Sequence, residues 1–356
     1  MAAPRRAWLL FGFSTEEAAG EPGPGPGPRR LESGPEGIRR LWPAWSYVVV
    51  ETGAGLELRS AGLRRRLPGW AEALPSETHL VLRGPAAARG WRRAEALRGD
   101  LRGEPAWSRD LPPGPGRPPP LPLLPGGGFA TPRPPFFAPL PAGVRARRLA
   151  LGHEHAVVLG DAGEVHAWGG GRHGQLGHGT LESEPQPRLV EALAGVPMQA
   201  VAAGGWHSAS ISEAGDLYVW GWNESGQLAL PSKALAEERA QEEDTGGAGD
   251  AELRPPQEQQ AAEDAAFISI QAFPALLDLP QELEVTQVSC GSRHTAVVTR
   301  GGELYTWGWG KYGQLGHGDN ASSDQPRRVQ HLVAEGLRAE EVVCGPWTTY
   351  VCVLEP

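Results

Sequence analysis

Five of the ten histidines fall close together, at His153, His155, His166, His173 and His178. His153 and His155 stand two apart and would face one side of a strand, the placement that suits imidazoles around a metal ion. No cysteine or carboxylate completes a ligand set at the usual spacing, so no metal is expected. Cys290 and Cys344 each precede a glycine at the same place in a repeat. That reads as two small core residues rather than a nucleophile pair. Three cysteines in 356 residues give neither a disulfide framework nor a C-x-x-C pair, and a reducing compartment is the default. Gly169-Gly170-Gly171 follows a tryptophan and opens no helix, so it offers no phosphate cradle. Signatures of serine hydrolases, phosphate-binding loops, zinc proteases and kinases are missing. The expectation is a chain with no catalytic residue, no metal and no cofactor, hence no enzyme.

Two charged stretches carry chemistry of another kind. Arg145, Arg147 and Arg148 alternate with apolar neighbours in Val144-Arg145-Ala146-Arg147-Arg148-Leu149. A strand here would bury Ala146 and Leu149 and leave the three guanidinium groups outside. They would then be free to dock in an acidic groove of a partner enzyme, or to be modified by it, since guanidinium forks match carboxylates. Glu242, Glu243 and Asp244 lie in a second stretch, residues 231–266, which holds ten acids, three bases and no aromatic residue. That composition predicts a disordered acidic insertion suited to basic protein surfaces. The net charge of −9 divides unevenly: residues 1–150 carry +9 and residues 151–356 carry −18. The split points to an electrostatic partner, although 31 Arg against 2 Lys is also what a GC-rich coding sequence produces.

The elements that must position these groups are set by repeats. Gly and Pro number 49 and 35, about twice the usual share, yet 13 Trp argue against general disorder. No apolar run reaches the ~18–20 residues of a membrane span, and no secretory leader is read at the N-terminus. His155 to Trp168, His207 to Trp220 and His294 to Trp307 are each 13 residues. Six residues beyond each tryptophan, Gly174, Gly226 and Gly313 open Gly-Gln-Leu. Each histidine ends a Gly-x-x-His turn, and Gly345 to Thr348 repeats it with threonine. Each unit reads as a small antiparallel sheet, with one strand after the histidine and the next ending in Trp-Gly. The hairpins contain Gly215 or Gly302. Repeats of some fifty residues with about four strands fit the blades of an all-β propeller. The histidines and tryptophans are then packing residues between blades, and the Gly-Gln-Leu glycines permit turns with positive φ.

The pattern G-x-x-H, then G-x-L-Y-x-W-G, then G-Q-L-G closely resembles the repeat of the regulator of chromosome condensation family, over residues 149–230 and 267–353. Trp307-Gly308-Trp309-Gly310-Lys311-Tyr312-Gly313-Gln314-Leu315-Gly316 carries it most clearly. The resemblance implies a β-propeller used as a binding platform. In that family the founding member activates a small nuclear GTPase and docks on chromatin. Other members sense light or carry ubiquitin-ligase domains. For this chain it implies a nuclear, chromosome-associated adaptor with some cytoplasmic presence. The partner would be a histone or histone-modifying enzyme, a jumonji-type oxygenase among them. Chromatin state or chromosome segregation would be what it affects. The alternative is guanine nucleotide exchange on a small GTPase. A monomer with no membrane contact is expected, and direct DNA binding is left open.

The same offsets divide the rest of the chain. Residues 1–110 hold degenerate blades and a closing strand. Residues 111–142 form a Pro/Gly-rich irregular loop. Well-formed repeats occupy 143–230 and 267–356 on either side of the 231–266 insertion. In the N-terminal part Ser46 and Thr78 take the histidine place, with Arg59 and Trp91 thirteen residues on. Places at 46, 78, 155, 207, 294 and 348 make six blades, leaving room for an eroded seventh within 98–145. The last unit lacks a Trp-Gly strand, whereas the chain begins with Phe11-Gly12-Phe13, similar to Trp220-Gly221-Trp222. The N-terminal strand is therefore expected to complete the last blade and remove two free edges.

Overall fold

A computed structural model describes residues 5–13, 27–99, 101–113, 118–246 and 266–356. Seven antiparallel sheets follow one another around a central axis. Blade 1 spans residues 38–67 and blade 2 residues 72–110. Blade 3 is a three-stranded sheet of Leu123–Leu124, Gly128–Ala130 and Phe137–Pro139. Blades 4, 5 and 6 begin with the strands Ala146–Leu151, Met198–Ala203 and Val285–Cys290. Blade 7 joins Arg338–Cys344 and Thr348–Glu355 to Arg5–Gly12 and Arg29–Arg30. The expected all-β propeller is thus a seven-bladed one, closed by its N-terminal strand.

The closure follows the repeat residue for residue. Phe11 lies opposite Thr349, as Trp220 lies opposite Ser208 and Trp307 opposite Thr295. Gly12 has φ +97°, beside +114° at Gly221 and +106° at Gly308. In blades 4, 5 and 6 the second strand is buried along its whole length, as in His207–Ser212 and His294–Thr299. Both of its sides are covered, so in His207–Ser212 the serines are buried along with Ala209 and Ile211, with Ser208 donating to the Gln175 carbonyl, unlike the solvated polar face of a one-sided sheet.

Three expectations are corrected. Residues 111–142 are not simply an irregular loop, because they contain the strands of blade 3. Its strands are only two or three residues long, too short to show a period of two in sequence. Ser46 and Thr78 do not hold the histidine place. The strand pairing puts Tyr47 and His79 there, with Arg59 and Trp91 opposite Val48 and Leu80. These two hairpins are one residue shorter than those of the strong blades. Residues 231–266 are not disordered throughout, because Lys233–Gly246 is an α-helix. Residues 247–265 lie outside the described residues.

The arginine-rich N-terminal part uses several of its charges internally. Arg59 and Arg83 are only 3% and 5% exposed. Arg59 Nε is 2.6 Å from Glu57, and Glu72 joins Arg40 at 2.9 Å and Arg83 at 2.5 Å. Several of these arginines are therefore committed to ion pairs inside blades 1 and 2, and the net +9 is carried by the others.

Candidate interaction face

The repeat residues form a ladder from blade to blade. His155 Nε2 lies 2.8 Å from Ser208 Oγ, His207 Nε2 lies 2.9 Å from Thr295 Oγ1, and His294 Nε2 lies 3.0 Å from Thr349 Oγ1. Each histidine ring sits over the glycine three residues before it. A Cβ on Gly152, Gly204 or Gly291 would come within 2.4 Å of the ring. That contact explains the Gly-x-x-His spacing. Tyr47 makes the same blade-to-blade step in blade 1, donating its hydroxyl to the carbonyls of Ser76 and His79 at 3.0 and 3.2 Å. Burial holds the histidines neutral, with pKa values lowered to about 3 at His155 and His207 and about 4 at His294.

The Gly-Gln-Leu turn receives the tryptophan of the next blade. The Gln175 carbonyl accepts hydrogen bonds from Trp220 Nε1 at 2.9 Å and Ser208 Oγ at 2.7 Å. The Gln227 carbonyl accepts from Trp307 Nε1 and Thr295 Oγ1 at the same two distances. Trp220 and Trp307 are fully buried. Trp168 is half-buried against Phe129 of the thin blade 3, with ring centroids 5.8 Å apart. Gly174, Gly226 and Gly313 have φ between +72° and +76°. A Cβ at Gly226 would lie 2.7 Å from the backbone of Asp324 in the next blade.

Antiparallel pairing decides which loops share a face. The second strand of a blade starts opposite the end of the third, as His207 opposite Gly221 and His294 opposite Gly308. The Gly-x-x-His turns and the loops after Trp-Gly therefore emerge together, on what is here the upper face. The turns ring an axial cavity of about 590 Å³ to which every blade contributes, with Ala44, Thr78, Arg133, Gly152, Gly291 and Gly345 at its wall.

Around that cavity lie aromatic residues that the repeat does not bury. Trp206 and Trp222 meet edge-to-face at 5.5 Å. His153 packs on Trp206 at 5.0 Å and His173 on Trp222 at 5.3 Å. The Arg293 guanidinium lies over Trp222, 4.7 Å from the ring centre, a cation–π contact. A second cluster joins Trp309 to Tyr312 and to Trp347, both at 4.9 Å, and Tyr312 to Phe13 at 6.4 Å. Tyr312 is 50% exposed and Phe13 44%. Sequence reasoning missed this face. Its signal was a second aromatic two residues after the Trp place, at Trp222, Trp309 and Phe13, and one just before the His place, at Trp206 and Trp347.

The charged candidates lie apart from one another. Arg145, Arg147 and Arg148 are exposed and Leu149 is buried. They stand at the start of the first strand of blade 4, where Ala146 pairs with Gly160, on the face opposite the aromatic one. Arg147 donates to the Met198 carbonyl of blade 5 at 3.2 Å. The helix carrying Glu242, Glu243 and Asp244 belongs to the upper face, since it follows Trp222. Glu242 is exposed. Arg239 pins the helix to blade 6 through Asp324, with contacts of 3.1 and 3.2 Å, and Lys311 pairs with Glu238. Cys290 and Cys344 line the axial cavity from adjacent blades. Among the described residues no group of three metal-binding side chains occurs, and no helix is long and apolar enough to cross a membrane.

Fold and face together define a repeat propeller with a decorated axial surface. The model of the regulator of chromosome condensation (RCC1) repeat matches residues 162–211, 214–298 and 301–352, and the chain belongs to that family. It is 47% identical over 381 aligned residues to human RCC1 domain-containing protein 1, covering 98% of this chain and 97% of that one. The mouse protein of the same name is 48% identical, covering 87% and 86%. The ultraviolet-B receptor UVR8 of Arabidopsis thaliana is 35% identical over 55% of this chain and 38% of its own. In three dimensions Prp20p of Saccharomyces cerevisiae, described with its binding to Gsp1p and histones, superposes with a TM-score of 0.71. That match has 14% identity and covers 100% of this chain and 93% of that one.

Proposed function

We propose that this protein is a non-catalytic propeller adaptor that associates with chromatin in the nucleus and affects chromatin state or chromosome segregation. Its partner on this reading is a histone or a histone-modifying enzyme, a jumonji-type oxygenase among the latter. The observation that carries the proposal is the half-exposed aromatic and arginine face around the axis. Trp, Tyr and Arg are the residues that dominate the energetics of protein interfaces, and here they cluster outside the core. The likeness to Prp20p, described as binding histones, supports the same direction. Residues 145–148 on the opposite face are proposed as a second contact for an acidic partner groove.

Affinity capture from nuclear extract is the test. The wild-type chain should enrich chromatin proteins, and Trp206→Ala with Trp347→Ala should lose them while remaining folded. Recovery of only cytoskeletal or membrane proteins would remove the proposal. Accelerated nucleotide release from a small GTPase would favour exchange activity instead.

A further inference from the structure

The tryptophans of blades 5 and 6 sit in a seat that the preceding blade builds. Trp220 and Trp307 each donate Nε1 to the glutamine carbonyl of a Gly-Gln-Leu turn at 2.9 Å. Leu176 and Leu228 of those turns are buried in the same apolar clusters as the two tryptophans. The opening glycine of each turn presses on the outermost strand beside it. A Cβ on Gly174 would lie 2.9 Å from Ala272, and one on Gly226 2.7 Å from Asp324. Ala272 and Asp324 each follow the residue paired with the Trp-Gly glycine, Gln271 with Gly221 and Ser323 with Gly308. A turn is thus held between a tryptophan and one defined place on the outer strand.

Blade 4 has both walls of such a seat and no turn between them. Trp168 holds the tryptophan place and Glu184 pairs with Gly169, so Pro185 is the counterpart of Ala272 and Asp324. Blade 3 does not supply the turn. In blades 4 and 6 residues 170–183 and 309–322 link the third strand to the fourth, whereas only residues 140–145 separate Phe137–Pro139 from the first strand of blade 4. Among the described residues blade 3 has three strands, and its sequence holds no Gly-Gln-Leu. What is left is a groove of about 420 Å³ between Phe129 and Leu140 of blade 3 and Trp168, Pro185 and Pro187 of blade 4. Its described lining is apolar apart from Gln186. Trp168 stays half-buried, and among the described residues nothing accepts from its Nε1. A tryptophan N–H removed from water usually has an acceptor.

We infer that this groove is a docking seat for a Gly-x-Leu turn of a partner protein. The leucine would lie on Phe129 and Trp168, the carbonyl before it would accept from Trp168 Nε1, and the glycine would face Pro185. The ring itself selects this occupant. The groove continues the row of contacts between blades, and the same two walls hold such a turn at Trp220 and Trp307. The described lining carries no charged side chain, so an acidic or basic segment would bury its charge unpaired. The seat goes beyond the adaptor reading: it lies at the seam of blades 3 and 4, away from the aromatic face, and shape rather than chromatin defines what fills it.

The probe is the chain's own turn, residues 172–179, closed by a disulfide between added terminal cysteines so that the turn is formed beforehand. A second ring carries Gly in place of the leucine. A third peptide, linear and proline-rich, stands for the extended helix that aromatic-lined grooves also take. Anisotropy of the labelled peptides against the full chain gives the affinities. The indole N–H resonance of Trp168, assigned by its loss in Trp168→Phe, reports the site. The leucine ring should shift that resonance saturably and bind at least tenfold more tightly than either control. Trp168→Phe, which keeps an aromatic ring and removes the donor, should weaken it at least fivefold. Pro185→Glu, at an exposed place on the other wall, should do the same with an unchanged melting temperature. An unmoved Trp168 resonance, equal binding of the three peptides, or full affinity in both folded variants would overturn the seat. So would tighter binding of the proline-rich peptide, or a wild-type dimer that Pro185→Glu dissociates, because a second copy would then fill the groove. If the seat fails, capture of chromatin proteins through Trp206 and Trp347 still stands. If capture returns no chromatin protein while the peptides behave as expected, the seat stands and the adaptor reading fails.

Discussion

Phe11 lies on Gly316 in the way Trp220 lies on Gly177: a Cβ on either glycine would come within 2.9 or 3.0 Å of the ring. The two contacts occur at equivalent places in different blades, although Phe11 is separated from Gly316 by nearly the whole chain. Phe11 is 1% exposed and joins the apolar cluster of Ala296, Val298, Val351 and Val353. Phe11→Ala is expected to cost ~3–4 kcal/mol. Deleting residues 1–13 should expose the edge of Thr348–Glu355 and produce oligomers or insoluble protein. Sedimentation checks this, and a soluble monomer of wild-type stability would contradict the closure.

Trp307→Ala should cost ~3–5 kcal/mol, the usual range for a buried large aromatic. It also removes one of the two donors to the Gln227 carbonyl. Denaturant unfolding measures the loss. A wild-type midpoint would show that Trp307 does not hold blades 5 and 6 together.

The histidine ladder makes the fold acid-sensitive. Unfolded histidines titrate near 6.5, whereas His155, His207 and His294 stay neutral to about 3, 3 and 4 when folded. Above pH 6.5 both states are neutral and the full stability is present. Below it the unfolded chain takes up protons that the folded chain refuses. Stability should therefore fall by about 1.4 kcal/mol per pH unit for each histidine. Urea unfolding at pH 7.5, 6 and 5 should show the decline, with a shallower slope in His207→Gln. A stability independent of pH across this range would rule the ladder out as its source.

Gly177, Ala229 and Gly316 hold the same turn position, with φ of +76°, +54° and +76°. Alanine pays a steric penalty of roughly 1–2 kcal/mol in that region, partly offset by its stiffer unfolded chain. Ala229→Gly should stabilise the protein by about 0.5–1 kcal/mol, and Gly177→Ala should destabilise it, its Cβ meeting Trp220. Opposite shifts in melting temperature are the expected outcome, and shifts of the same sign would refute the reading of these turns.

Changing Arg145, Arg147 and Arg148 together to Gln should leave the melting temperature nearly unchanged, since exposed substitutions usually fall within about 0.5 kcal/mol. If these residues form the second contact, the triple variant loses its partner in capture while staying folded. Retained binding removes that role.

Much of the ring was readable because the His-to-Trp offset of 13 reports a fixed hairpin length. Where the hairpin shortens by one, in blades 1 and 2, the offset pointed to Ser46 and Thr78 instead of Tyr47 and His79. Blade 3 lies within the 98–145 stretch left for an eroded seventh blade, but its prolines and the shortness of its strands hid the strands themselves. The helix Lys233–Gly246 is built mostly of strong helix formers but has no apolar stripe to dock it, and a contact 85 residues away in sequence, Arg239 to Asp324, holds it on blade 6. A local reading has no access to such a partner. The aromatic face was hidden for a different reason. Its residues sit at repeat positions adjoining buried ones, and periodicity does not say whether a tryptophan faces a neighbouring blade or water.

The closing strand also sets an order in time. Arg5–Gly12 precedes every other strand, yet its partner Thr348–Glu355 is made after all the other blades. Throughout synthesis the apolar run Trp8-Leu9-Leu10-Phe11 can pair only with the two-residue strand Arg29–Arg30, and its other edge stays unpaired. Such unpaired apolar segments invite aggregation, so the newborn chain must keep this one shielded until the last blade leaves the ribosome. Before Thr348–Glu355 is made the ring has an open seam, so the pairing of this strand with Arg5–Gly12 is the step that closes it.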